Sequence, residues 1–156
     1  MATTLKNAGY LAAEAAIVFS GTQQLNSLTD NEFTDLSDEI DNSTNLYFAV
    51  DLRLVLGSAA FITPADCYLE IFLIPTGDGT NYPTWTGNTT TDQVHNLPFY
   101  VGQIPLTGTT AAQAGLLEDV ELPPGKYKYA ARNKGNVTLA GSGNTIYWRP
   151  KSLQSV

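Results

Sequence analysis

His95 is the only histidine in the 156-residue chain, and Cys67 is the only cysteine. A hydrolytic triad needs its members close in space rather than in sequence, so spacing alone does not exclude one. Neither residue stands in a nucleophile motif, and His95 reads as a solvated loop histidine. Cys67 alternates with Leu69, Ile71 and Leu73, which predicts a small buried core residue. A single cysteine also leaves no intrachain disulfide and no multi-cysteine metal site. The six acids between Asp30 and Asp41 offer the oxygen ligands that calcium takes, but without an EF-hand pattern. Asp78-Gly79-Thr80-Asn81 comes no closer to one. No catalytic residue, metal site or cofactor is expected.

Binding chemistry is better represented. Tyr82 and Trp85 stand in a polar stretch from Pro75 to Leu97, outside any strand pattern. Aromatic rings there suit a protein interface or sugar stacking. The alternative is that one or both fold back over the domain. The expectation is a contact surface at Tyr82 and Trp85. Lys126, Lys128 and Arg132 share one face of a strand and form a second candidate interface. Three cations are too few for nucleic acid in a chain of net charge −7.

Strands must carry these residues. Period-two alternation puts Phe48, Val50, Leu52, Leu54 and Leu56 on one face of residues 47–56. Residues 67–74 are apolar on both faces except at Glu70, as in a strand near the middle of a sandwich. Residues 99–106 form a shorter strand with Pro105 marking an edge or exit. A piece at 120–122 meets the turn Pro123-Pro124-Gly125, which launches a strand with Tyr127, Tyr129 and Ala131 opposite the cations. Val137 and Leu139 predict a further strand, and residues 145–149 another. Residues 13–20 predict a strand, and 30–41 a solvated acidic loop with a short extended piece.

Strands at roughly ten-residue spacing with turn chemistry between them predict an all-β fold. The expected form is an antiparallel β-sandwich, jelly-roll-like, of about eight strands with long polar loops. It would be one domain over residues 1–156, with 1–12 as an N-terminal arm. Charged residues make up only 15%, below the ordinary ~25%, while apolar content of 43% supports a packed core. No apolar run approaches the ~20 residues of a membrane span, and no signal peptide is expected. The charge divides unevenly: residues 1–75 hold ten acids and two cations, residues 76–156 five acids and six cations. Opposite-sign regions of this kind can dock across subunits.

Four stretches carry a resemblance. They are Leu36-Ser37-Asp38-Glu39-Ile40-Asp41-Asn42-Ser43-Thr44-Asn45, Gly77-Asp78-Gly79-Thr80-Asn81-Tyr82-Pro83, Leu122-Pro123-Pro124-Gly125-Lys126-Tyr127-Lys128-Tyr129, and Ala140-Gly141-Ser142-Gly143-Asn144-Thr145-Ile146-Tyr147-Trp148-Arg149-Pro150. Together they resemble a family of small β-sandwich structural proteins of tailed bacteriophage virions. The resemblance spans roughly residues 28–150 and rests on turns and strand starts. It implies a non-enzymatic virion protein, assembled in the host cytoplasm and carried on the capsid exterior. Too short for a major capsid shell protein and without the heptads of a fibre coiled coil, the acidic chain suits head decoration, or cement, bridging the major capsid protein as a homotrimer, with neither nucleic acid nor membrane as partner. A tail, collar or fibre-associated module binding a host-surface glycan is the alternative. A free lectin or carbohydrate-active enzyme is a third reading, from another class.

Overall fold

The computed structural model describes residues 5–10, 12–58, 66–85, 87, 99–106 and 112–155. Within them lie nine strands and no α-helix: β1 (Leu5–Tyr10), β2 (Ala15–Ala16), β3 (Ile40–Asp41), β4 (Ala49–Leu56), β5 (Tyr68–Pro75), β6 (Tyr100–Pro105), β7 (Gln113–Glu121), β8 (Lys126–Lys134) and β9 (Thr145–Ser155). One sheet runs β1-β9-β4-β7, with β2 also paired to β9; the other runs β3-β8-β5-β6. Every pairing is antiparallel. The two sheets form a β-sandwich, as the alternation predicts.

The inward faces of β4, β5 and β8 are the apolar ones. Val50, Leu52, Leu54 and Leu56 of β4 meet Leu69, Ile71 and Leu73 of β5 and Tyr127, Tyr129 and Ala131 of β8 in one cluster. Each large aliphatic side chain removed from water here is worth roughly 1.5–3 kcal/mol before ordering costs. β5 is apolar on both faces because both are covered: Leu69, Ile71 and Leu73 enter the core between the sheets, while Phe72 and Ile74 belong to a second buried cluster on the outer side. Cys67 joins the same cluster, with its thiol donating to the carbonyl of Gly135 at 3.1 Å.

Four elements depart from the sequence reading. β2 keeps only Ala15–Ala16 of the expected 13–20; beyond it Ile17 still bonds Ile146, but the chain then crosses toward the other sheet, where Asp38 N–H meets the carbonyl of Val18. β7 begins at Gln113 rather than at 120. Gly115 hid it, being small because a Cβ there would stand 2.3 Å from Ile104. Val137 and Leu139 lie in a loop, where Leu139 N–H reaches the carbonyl of Leu28 and Ser27 N–H that of Ala140.

The acidic stretch 30–41 is no free loop either. It runs along the edge of β8, where Thr34, Ser37 and Asn42 are buried. Thr34 and Ser37 take β8 carbonyls with their own N–H groups, and their hydroxyls accept the N–H of Ala131 and Tyr129. Side chains thus complete a ladder that the backbone leaves, and no buried β8 amide is stranded there.

Candidate interaction surfaces

The outer face of the β3-β8-β5-β6 sheet holds all five residues singled out as interface candidates. On β8, Lys126 pairs with Glu39 at 2.9 Å, Lys128 stands 4.9 Å from the centre of the Tyr82 ring, and Arg132 lies 3.7 Å from Glu70 and 4.8 Å from the Phe33 ring. Tyr82 donates its hydroxyl to Glu39 at 2.9 Å. Lys126, then Tyr82, hold the Glu39 carboxyl below its ordinary pKa. Burial, then Glu39, push the Tyr82 hydroxyl up.

Trp85 does not stand free. Its ring meets Phe33 edge-on at 5.5 Å and Phe72 at 5.8 Å, and its indole N–H donates to the carbonyl of Thr34 at 2.9 Å. Phe33, Phe72, Ile74 and Ala130 form a second buried cluster, with Tyr82 and Trp85 as its half-buried cover. Both rings thus fold back over the sheet, the alternative stated above, and each keeps part of its surface exposed. The loop is turned onto the sheet by Asp78, whose carboxylate accepts the N–H groups of Thr80 and Asn81, while Gly79 takes a positive φ of 81°. Hydrogen bonds from Asn81, first backbone and then side chain, with Thr80, lower the Asp78 pKa to about 2. Asp35 then ties the far end by accepting from Gln23 N–H at 2.9 Å and Gly87 N–H at 3.2 Å.

The opposite outer face, on β9 and β4, carries a charged lattice that residue types alone did not single out. Asp51 is only 3% exposed there. Its carboxylate accepts from Lys151 at 2.6 Å, the Tyr10 hydroxyl at 2.5 Å and the Asp119 N–H at 2.9 Å. Burial pushes its pKa up, and these donors more than offset that, leaving it below the ordinary value. The Asp119 N–H is available because β7 shifts register opposite Val50–Leu52, with Asp119 at a φ of 55°. Beside this centre Arg53 grips Glu14 with two hydrogen bonds, 2.7 and 2.5 Å, and lies over the Tyr147 ring. Arg149 stacks on Tyr10 at 3.6 Å. Asp51 and Arg53 alternate on β4, and Tyr147, Arg149 and Lys151 on β9; the missing signal was that β4 pairs with β9.

The uneven charge along the chain is spent largely inside it. Glu39–Lys126, Glu70–Arg132 and Asp51–Lys151 each join a first-half acid to a second-half cation. Lys134 donates to Asn31, so every cation of the 126–151 segment touches a partner in the same chain. Among the described residues no three His, Cys, Asp or Glu side chains converge as a metal site, and no helix is long and apolar enough to cross a membrane. His95 lies outside the described residues. No protein-family model, curated protein or solved structure matches the chain.

Proposed function

We propose that the protein is a non-enzymatic structural subunit of a tailed-bacteriophage virion, docked on the head exterior, where it reinforces contacts between capsomers. The observation that carries this reading is the strand order. β1 and β2 take successive stretches of β9 and act as one interrupted strand, which leaves eight strand positions. Counted so, one sheet reads first-eighth-third-sixth and the other second-seventh-fourth-fifth, the order of a jelly roll. Jelly rolls recur in viral coats and in lectins. The four stretches quoted above favour the virion over the lectin. So does the engagement of Tyr82 and Trp85 with the protein's own sheet, which leaves less ring surface for a sugar.

Reinforcement in this reading is surface burial between neighbours, at ~25 cal/mol per Å² of apolar area before ordering costs. Three copies would surround a three-fold axis of the shell, each held by the major capsid protein. Copies need not bridge by opposite charge, since the 126–151 cations are engaged within the chain.

The test is a phage from which the gene has been deleted. Its particles are expected to assemble but to release DNA at a lower temperature, or on dilution into low salt. Particles that retain DNA normally and fail to adsorb to cells would move the protein to the tail and make the glycan-binding role correct.

A further inference from the structure

A second feature lies at the open side of the sandwich, where β2 borders one sheet and β3 the other. Between them runs a groove of about 330 Å³. Its apolar surface comes from Ile17, Ile40 and the half-buried Trp148, and from Val18, which is 52% exposed. Asp38 and Asp41 line it with Glu39. Glu39 is paired with Lys126, whose charge also acts on Asp41 across the β3–β8 pairing; Asp38 accepts from the Ser20 hydroxyl, and Asp41 from Ser43. Neither forms a salt bridge among the described residues.

We propose that this groove binds an extended, cationic segment of a neighbouring protein, with lysine or arginine heads at Asp38 and Asp41 and apolar side chains on Val18, Ile40 and Trp148. Charge complementarity selects this occupant. Among the described residues one cation, Lys126, faces three acids here, bonding Glu39 and lying across the β3–β8 pairing from Asp41, so the groove keeps an excess of acidic groups beside apolar surface. A segment in extended conformation alternates its side chains at period two, placing apolar groups downward and cationic ones toward the rim. Lysine and arginine also bury apolar stems while keeping their heads in water, which matches a greasy floor under an acidic edge. A second copy of this chain fits less well, because it would bring the same excess of acids. The inference rests on the docking-subunit reading only for the source of the segment, which would be a coat protein; the groove itself can be tested alone.

The probe is a capped hexapeptide of alternating lysine and valine, titrated into the 156-residue chain at low salt and followed by NMR. Shifts are expected at the methyl groups of Val18 and Ile40 and at the Trp148 indole, with the Trp85 indole unmoved. The D38N/D41N double variant should weaken binding on the order of tenfold, and salt should do the same. Val18→Ser, at an exposed position, should also weaken it while leaving both carboxylates in place. A glutamate–valine peptide should not bind. Shifts centred on another acidic face, or equal affinity for wild type and both variants, would overturn the proposal. Failure here leaves the deletion-phage test of the virion role intact, and failure of that test leaves the peptide result standing.

Discussion

The two outer faces of the sandwich solve the same problem in opposite ways. Over the β3-β8-β5-β6 sheet, the segment 31–42 and the loop at 76–87 lay down aromatic side chains and build a second apolar layer on Phe72 and Ile74. Over the β1-β9-β4-β7 sheet, charged and tyrosine side chains from adjacent strands bond one another, centred on Asp51. The first face derives its order from burial, the second from paired charge. Burial involves no charge for salt to screen or acid to titrate, whereas charge pairing depends on both. The difference also bears on docking. A face already covered by its own loops presents those loops to a partner, while the charged face presents side chains whose pairs a partner would have to match.

The comparison breaks most sharply at Phe72, which is 4% exposed beneath Trp85 and Phe33. Phe72→Ala is expected to cost about 3–5 kcal/mol, through lost transfer energy and the cavity left under a loop that only partly collapses. Urea unfolding at two salt concentrations would measure it, and the loss should be the same at both. A loss that changed with salt would mean that the Lys126, Lys128 and Arg132 contacts, rather than the rings, hold this face together.

Asp51→Ala is the matching break on the other face. It removes the acceptor shared by Lys151, Tyr10 and the Asp119 N–H, at an expected cost of roughly 3 kcal/mol. The pH dependence carries a sign. Asp51 is held below its unfolded value, so the unfolded chain binds the proton more readily. Its contribution is then fully present above pH ~4, the unfolded aspartate range, and is lost as pH falls through the lower folded value. Glu14, lowered chiefly by the hydrogen bond from Arg53, acts in the same direction. Acid titration of stability should therefore be shallower in the Asp51→Ala variant than in the wild type, while Phe72→Ala should shift the curve without changing its slope.

Ser37→Ala tests the seam between the loops and β8. The side chain is buried and accepts the Tyr129 N–H at 2.8 Å, so its loss leaves a backbone donor unmatched, at about 1–3 kcal/mol. Hydrogen exchange should show the Tyr129 amide losing protection before amides of β4. Equal protection in variant and wild type would mean that the hydroxyl is dispensable to the ladder.

How legible the molecule was in its sequence follows the same division. Alternation exposed the inward faces of β4, β5 and β8, because a strand with one apolar face has a single way to face the core. It misled at Val137 and Leu139, where two apolar residues alternate in a loop whose backbone bonds residues 27 and 28. It passed over the first part of β7, where tight packing against Ile104 demands glycine at 115 instead of a branched side chain. The candidate surfaces were legible as residues but not as partners. Lys126, Lys128 and Arg132 do share a face, yet nothing local shows that Glu39, Tyr82 and Glu70 come to meet them. Trp85 was assigned by the polarity of its own loop, while its environment is set by Phe33 and Phe72, distant in sequence.

The smallest expected effect sharpens the comparison by separating the centre of the charged face from its margin. Arg53 and Glu14 form a two-point ion pair, at 2.7 and 2.5 Å, but their side chains are 39% and 31% exposed. Water screens both charges, and holding two long side chains in one geometry costs rotamer freedom, so such pairs contribute about 0.2–1 kcal/mol. A double-mutant cycle of Glu14→Gln and Arg53→Gln should give a coupling energy in that range, vanishing at high salt. The corresponding cycle of Asp51→Asn with Lys151→Met should give a larger coupling that salt reduces much less, because Asp51 is nearly closed off from water. If the Glu14–Arg53 coupling equalled that of Asp51 with Lys151, exposure would not be what grades this lattice. The stacking of Arg53 over Tyr147 at 4.5 Å would then be the next contact to remove.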